Sequence, residues 1–530
     1  EFFTVEVEHE GVVQRLCLTK KSVRGANFQV LAQVEGGQFV ELDPGPVRTY
    51  QGFIEQEPDS LVAATLLSEG LQAQIFKPDG TRWAILPLRK LEKTAAAGTH
   101  VIYDPQELDE QLDLSGDTLL LYQPQPGDPP VAYYRGMTSP LLAVAGAALA
   151  TKTSEHGSDV MQADAGIDME YKYYSAPTPG GGGNSTSVCQ ANAETTVNEM
   201  NVIAVRDVMI EYTICRLIIR TSRQDCPYYN SSSYLTTLRD EWNTNQSDAG
   251  HDLATCCAYQ YGGGVAWVGV VCTSNRYSIS GASGDGTFDV VWRHEAGHNW
   301  GCHDYHAGCP EGCSLMCGNC DPGRYSIDEV ETILAHRNSR DCLVNLGPYT
   351  SSEITPYCGL DRVTTRHGDG TINIDVLAND HDANGDTLSI ASYDTTTFMG
   401  GTVSLSHGTG PGGRDELAYT PPAAGLGEDS FRYTISDGTG RQASNEVRVT
   451  LASPKILAYW KLDEGSGSTT ADTTPNGNDG TINGASWTGG KFDDALSFNG
   501  SSDYVNCGMD ASLRPTDSVS VTAWIKVDTY

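Results

Sequence analysis

The segment Val290–Asp304, VVWRHEAGHNWGCHD, collects side chains that can do chemistry. His294 and His298 are four residues apart. On a helix that spacing puts both imidazoles on one face, about 6 Å apart, able to share one Zn2+. Glu295 lies beside them and can take a proton from a water acidified by the metal. Gly301 permits a left-handed turn, so the chain can double back and offer a third ligand. Met316, in CSLMCGN, follows a short loop later.

HExxH alone turns up by chance, and a surface helix with two histidines is the plain alternative. The longer HExxHxxG, the His/Asp cluster after it and the downstream Met weigh against that alternative. With them, the segment resembles the metzincin zinc endopeptidases, specifically the reprolysin or ADAM-type group. HDLATCCAYQYGGGVAWVGVVC (251–272) is similar to that group's edge strand and the strand next to it. RYSIDEVETILAHRNSRDCL (324–343) is similar to its C-terminal helix and closing cysteine, and TYQGFIEQEPDSLVAATLLSEGLQAQIF (49–76) to its propeptide. The resemblance implies a zinc metalloendopeptidase with His294 and His298 on the metal, Glu295 as general base and Met316 in the family's Met-turn. An extended substrate would lie along the strand near Gly263–Val271.

The family pattern HExxHxxGxxHD places a third histidine ten residues after the first, where this chain has Asp304. His303 stands one place early and His306 two places late. Asp304 is in register, and a carboxylate is a competent zinc ligand. His303 requires a turn one residue shorter, and His306 a longer reach. Asp304 is the expected third ligand, with His303 and His306 as the alternatives. Cys17 is a candidate inhibitory thiol, since a cysteinate can occupy an open zinc position. Its setting, RLCLTK, equally suits an inward strand cysteine.

These side chains need a scaffold to hold them. Residues 1–135 alternate short apolar runs with turns at a period near two, which predicts a small β domain in the place of a propeptide. Residues 136–165 read as a linker, through Ala-rich LLAVAGAALA and polar TKTSEHGSD. Residues 166–345 alternate strand and helix signals, predicting the α/β metzincin domain. DMEYKYYSA and TICRLIIRT read as strands. Cys189–Val208 and YLTTLRDEWNTN read as helices. Residues 346–454 carry short strands only and predict a β-sandwich, similar to bacterial cadherin-like repeats. Residues 455–530 resemble an incomplete laminin-G-like jellyroll, in which Trp460, Trp487 and Trp524 are expected in the core. The fold class is thus multidomain: an α/β catalytic domain flanked by an N-terminal β domain and C-terminal all-β sandwiches.

The loop DVLANDHDANGDTLSI sets Asp380, Asp382, Asn384 and Asp386 around a glycine turn, the front half of a Ca2+ loop. Its twelfth position is Ala391 rather than Glu, and an acidic turn capped by its own side chains is the alternative.

The chain has 34 basic and 68 acidic residues among 530, a net charge of −34. That field repels nucleic acid and anionic lipid. Its longest apolar run, Leu141–Ala150, is too short for a bilayer, which needs about 20 residues. Twelve of the fifteen cysteines lie between Cys189 and Cys342, which predicts a disulfide framework and a secreted, extracellular or cell-surface protein. The chain does not begin with Met and stops abruptly at Tyr530, so both ends read as cut. The expected cofactors are Zn2+ and, at the acidic loop, Ca2+. Expected partners are protein or peptide substrates, with glycans or cell-surface proteins for the C-terminal β domains, and no nucleic acid. Two rivals stay open. One is an extracellular adhesion protein whose metalloprotease-like domain is inactive. The other is a zinc hydrolase acting on a bond other than a peptide bond.

Overall fold

The structure is a computed structural model. It describes residues 1–77, 81–96, 98–104, 131–133, 159–259, 263–282, 284–304, 314–316, 323–349, 354–366, 370–422, 427–452, 457–474, 476–491, 493–514 and 521–527.

Alternation in the N-terminal segment produces a seven-stranded antiparallel sheet. Its members are β1 (Phe2–His9), β2 (Val12–Lys20), β5 (Thr49–Ile54), β6 (Glu57–Leu66), β7 (Leu71–Phe76), β8 (Arg82–Pro87) and β9 (His100–Tyr103), adjacent in that order. The two intervening strands, β3 (Arg24–Gln33) and β4 (Phe39–Leu42), leave this sheet and join the next.

That second sheet underlies the helix that carries HExxH. Its order is β10-β14-β15-β13-β11-β12-β3-β4. Here β10 is Val131–Tyr133, β11 Met161–Met169, β12 Ile210–Arg220, β13 Leu253–Ala258, β14 Gly264–Trp267 and β15 Tyr277–Gly281. The strands β3, β12, β11, β13 and β15 run parallel, while β14 is antiparallel to β15. β12 (IEYTICRLIIR) is buried along its whole length, its charged Glu211, Arg216 and Arg220 each held in an ion pair.

Four longer helices cover this sheet: α1 (Thr186–Val208), α2 (Tyr234–Asn245), α3 (Asp289–Asn299) and α4 (Ile327–Asn338). α1 starts at Ser185, whose hydroxyl accepts from the Val188 N–H, and ends at Met209 in a left-handed conformation. α4 opens on a capping box between Ser326 and Glu329. The strand expected over DMEYKYYSA ends at Met169, and Tyr171–Ser175 forms a short helix instead. The Gly182 N–H donates to the Tyr173 carbonyl, tying this turn to the glycine-rich loop that follows.

Asp168 anchors the domain. Its carboxylate accepts from Arg220, from the Tyr228 hydroxyl and from the Trp242 indole, all buried.

Downstream, four strands (Asp361–Arg366, Gln442–Ala452, Gly427–Ser436, Ser389–Tyr393) face three (Ile372–Ile374, Glu416–Thr420, Thr402–Ser406) around a core that includes Phe431, Tyr433 and Val447. The last segment holds a small three-stranded sheet and the hairpin Ser486–Gly489/Asp494–Ser497. Of the three tryptophans expected in its core, Trp460 and Trp487 donate to backbone carbonyls, but Trp524 is 93% exposed. Among the described residues, no helix is long and apolar enough to cross a membrane.

Candidate active site

Helix α3 presents His294 and His298 on one face, as their spacing requires, and both are buried. Backbone carbonyls orient the two rings. His294 Nδ1 lies 2.7 Å from the Leu315 oxygen, and His298 Nδ1 lies 2.9 Å from the Cys302 oxygen. A carbonyl can only accept, so each Nδ1 carries the proton and each Nε2 turns a lone pair inward. The two Nε2 atoms are 3.0 Å apart.

The chain then reverses. Gly301 sits at φ +108°, and the Cys302 N–H donates to the Gly297 carbonyl, closing the helix. Two residues later Asp304 Oδ1 comes within 2.9 Å of His294 Nε2 and 3.2 Å of His298 Nε2. Three acceptor atoms therefore form a triangle of 2.9–3.2 Å edges. Tetrahedral ligands about 2.0–2.1 Å from a metal stand roughly 3.3 Å apart, so the triangle fits a metal ion. Three lone pairs facing one another would repel without a cation between them, and this donor set is one that zinc takes. Burial lowers the pKa of His294, although Asp304 opposes this, and the neutral ring keeps its lone pair.

Glu295 completes the group. It is fully buried, and neither carboxylate oxygen has a hydrogen-bond partner. Burial, with the Asp304 charge adding to it, pushes its pKa well above the carboxylate range. Such a carboxyl is poised to exchange protons rather than to hold a salt bridge.

Of the other third-ligand candidates, His303 is exposed and His306 lies outside the described residues. Met316 is buried beneath α3, its sulfur filling the space that a Cβ on Gly297 would need. Strand β14, which has β10 on one side and β15 on the other, is shorter than the expected 263–271. Val270 and Val271 bend away to donate their N–H groups to the Asn299 carbonyl at the end of α3.

Residues 163–337 match the model of metallopeptidase family M12. Residues 355–450 match that of a bacterial Ig domain. The chain thus carries a metallopeptidase-type domain followed by an Ig-like domain. Among solved structures, metalloproteinase-II from Bacteroides fragilis is 12% identical with a TM-score of 0.34, covering 63% of this chain and 91% of that one. A chaperone–substrate complex is 16% identical with a TM-score of 0.27, and the match spans 34% of this chain and 39% of that one. No curated protein matches the chain.

Several expectations for the metallopeptidase domain and its neighbours need correction. Among the described cysteines only Cys272 and Cys342 form a disulfide. Cys189, Cys215, Cys226, Cys256, Cys257 and Cys302 are buried thiols that serve as small core residues rather than as a cross-linked framework. Burial pushes Cys189 and Cys215 up to about 12, leaving them unreactive. Cys309, Cys313, Cys317 and Cys320 lie outside the described residues. Cys17 is a buried thiol in β2, paired with Thr4 on β1 and Phe53 on β5, on the strand face opposite Leu16 and Leu18.

The acidic loop of the Ig-like domain also differs from expectation. Asp380 turns inward to accept from the Gly359 N–H and the Tyr433 hydroxyl. Asp437, 51 residues after Asp386 and unseen by local spacing, comes together with Asp382 and Asp386 instead. Asn384 donates to Asp386, and the N–H groups of Asn384 and Asp386 cap Asp382.

Two contributors were not singled out in the sequence. Gly264 and Gly297 are positions where any side chain would collide with Glu295 and Met316 respectively. The available signal was the glycine inside HEAGH, because glycine in a helix interior costs about 1 kcal/mol relative to alanine and so calls for a packing reason.

Proposed function

We propose that this chain is a secreted zinc-dependent endopeptidase made with a propeptide-like N-terminal domain. The observation that carries this reading is the convergence of His294 Nε2, His298 Nε2 and Asp304 Oδ1 beside a buried, unpartnered Glu295. The family M12 match supports it.

His294, His298 and Asp304 would hold the ion. When bound, Zn2+ supplies Lewis acidity that polarises a carbonyl and acidifies water. The chain's own residues do the rest. The Glu295 carboxylate takes the proton from the attacking water and returns it to the leaving amine, so the amide C–N bond breaks and no proton is lost to solvent. Strand β14 orients the peptide by backbone pairing. In support, β14 is already antiparallel to a segment of this chain, with Ala132 opposite Ala266. The Cys272–Cys342 bridge is the support for an extracellular location.

Glu295→Gln tests the mechanism, because glutamine keeps the shape but cannot accept the proton. The variant should retain its zinc and lose casein cleavage. Activity above a small fraction of wild type would remove Glu295 from the base role.

A further inference from the structure

The N-terminal domain is built into the metallopeptidase domain. Strand β3 runs parallel to β12, pairing Leu217 with Val30, Ile218 with Leu31 and Ile219 with Ala32. Val23, Val30, Ala63 and Phe76 belong to the same buried cluster as Ile167, Val197, Ile203, Leu217 and Trp292. Phe76 packs where a Cβ on Gly323 would stand, 2.7 Å from its ring.

Helix α1 is enclosed between the two sheets. On the face it turns to the N-terminal segment, Glu194 and Asn198 are polar yet buried. Asn198 donates to the carbonyls of Tyr50 and Ala64, both at 3.0 Å, and accepts from Gln51. Arg24 pairs with Glu194 at 2.8 Å, where the side chains are only 12% and 2% exposed. Polar contacts of this kind exchange readily for water and would not by themselves hold two pieces together. The strand ladder and the shared apolar core do not exchange so easily. Removing β3 would bare the hydrogen-bonding edge of a strand that is buried throughout.

We propose that the N-terminal domain remains bound to the metallopeptidase domain after the chain between them is cut, as a permanent second piece of one particle. The edge of β12 is the docking surface, and residues 24–42 with Phe76 are its occupant. This does not depend on the chain being a peptidase.

The test uses the full chain carrying Glu295→Gln, with Leu141–Ala150 replaced by the recognition sequence of a site-specific protease. After complete cutting and dilution to low micromolar concentration, gel filtration should show both fragments in one peak of the uncut size. Two peaks at the separate fragment sizes would overturn the proposal. In the cut protein, Phe76→Ala combined with Asn198→Ala should raise the fragments' dissociation constant at least about a hundredfold. Should that double variant fail to fold, Arg24→Ala is expected to raise it about tenfold. An unchanged constant in the folded variant would show that the surface is wrongly assigned.

Discussion

The carboxylate of Glu295 fills the place where a side chain at Gly264 would stand. A Cβ at 264 would lie 2.5 Å from Glu295 Oε1, 2.6 Å from its Cγ and 2.6 Å from the Ile279 carbonyl oxygen. The strand proposed to align a peptide and the acid that would take its water's proton are thus in direct contact.

Gly264→Ala should therefore displace Glu295 without touching the three metal-facing atoms. Misplacing a catalytic group by about 1 Å can cost roughly a hundredfold in rate. Peptidase activity is expected to fall by about that factor while zinc content stays at the wild-type level. Near-normal activity would mean that the carboxylate has room to move aside.

Asp168 offers a test of what holds the metallopeptidase domain together. It is fully buried and accepts from Arg220, Tyr228 and Trp242. Asp168→Asn removes the fully buried countercharge of the Arg220 guanidinium and leaves it only Glu241, 3.0 Å away and less buried. Breaking a buried pair in this way costs about 3–5 kcal/mol. Urea denaturation should show the loss in the metallopeptidase domain, with the Ig-like domain unaffected.

The Ig-like domain should respond to pH through Asp361. Burial pushes its carboxyl up to about 7; a hydrogen bond from Tyr433 opposes the shift and the nearby Asp375 charge adds to it. The unfolded chain ionises this group near the ordinary value of about 3.9, while the folded domain keeps the proton until about 7. The folded state therefore binds more protons across that window, and stability falls as pH rises through it. Asp361→Asn should stabilise the domain at pH 8, by about 2–4 kcal/mol, and change little at pH 4. Thermal unfolding at the two pH values checks this, and an equal shift at both would rule out titration as the cause.

How legible these features were depended on how local they are. His294, Glu295 and His298 could be read because one helical turn brings them together. Asp304 could be placed first by register, but its rivals stayed because the outcome rests on how tightly the chain reverses after Gly301. The departure of β3 and β4 from the N-terminal sheet was not legible, because alternation announces a strand and not its neighbour. Asp437 was missed for the same reason, its partners being far away in sequence. The cysteines misled because density suggests bridges, whereas the fold buries most of the described ones as apolar side chains.

Thiol counting follows from that last point. Under denaturing, non-reducing conditions the six buried cysteines of the metallopeptidase domain should react, and Cys272 and Cys342 should not. Mass mapping that finds any of the six oxidised to a partner would contradict the assignment. Serine at both bridge positions should cost about 2–5 kcal/mol.

Zinc stoichiometry in single variants tests the central claim most directly. Elemental analysis of the purified full chain should find one zinc in the wild type and in His303→Ala, whose side chain is exposed. Asp304→Ala should lose both zinc and casein cleavage, because it removes one corner of the triangle. Retention of zinc by Asp304→Ala, or its loss from His303→Ala, would contradict the account.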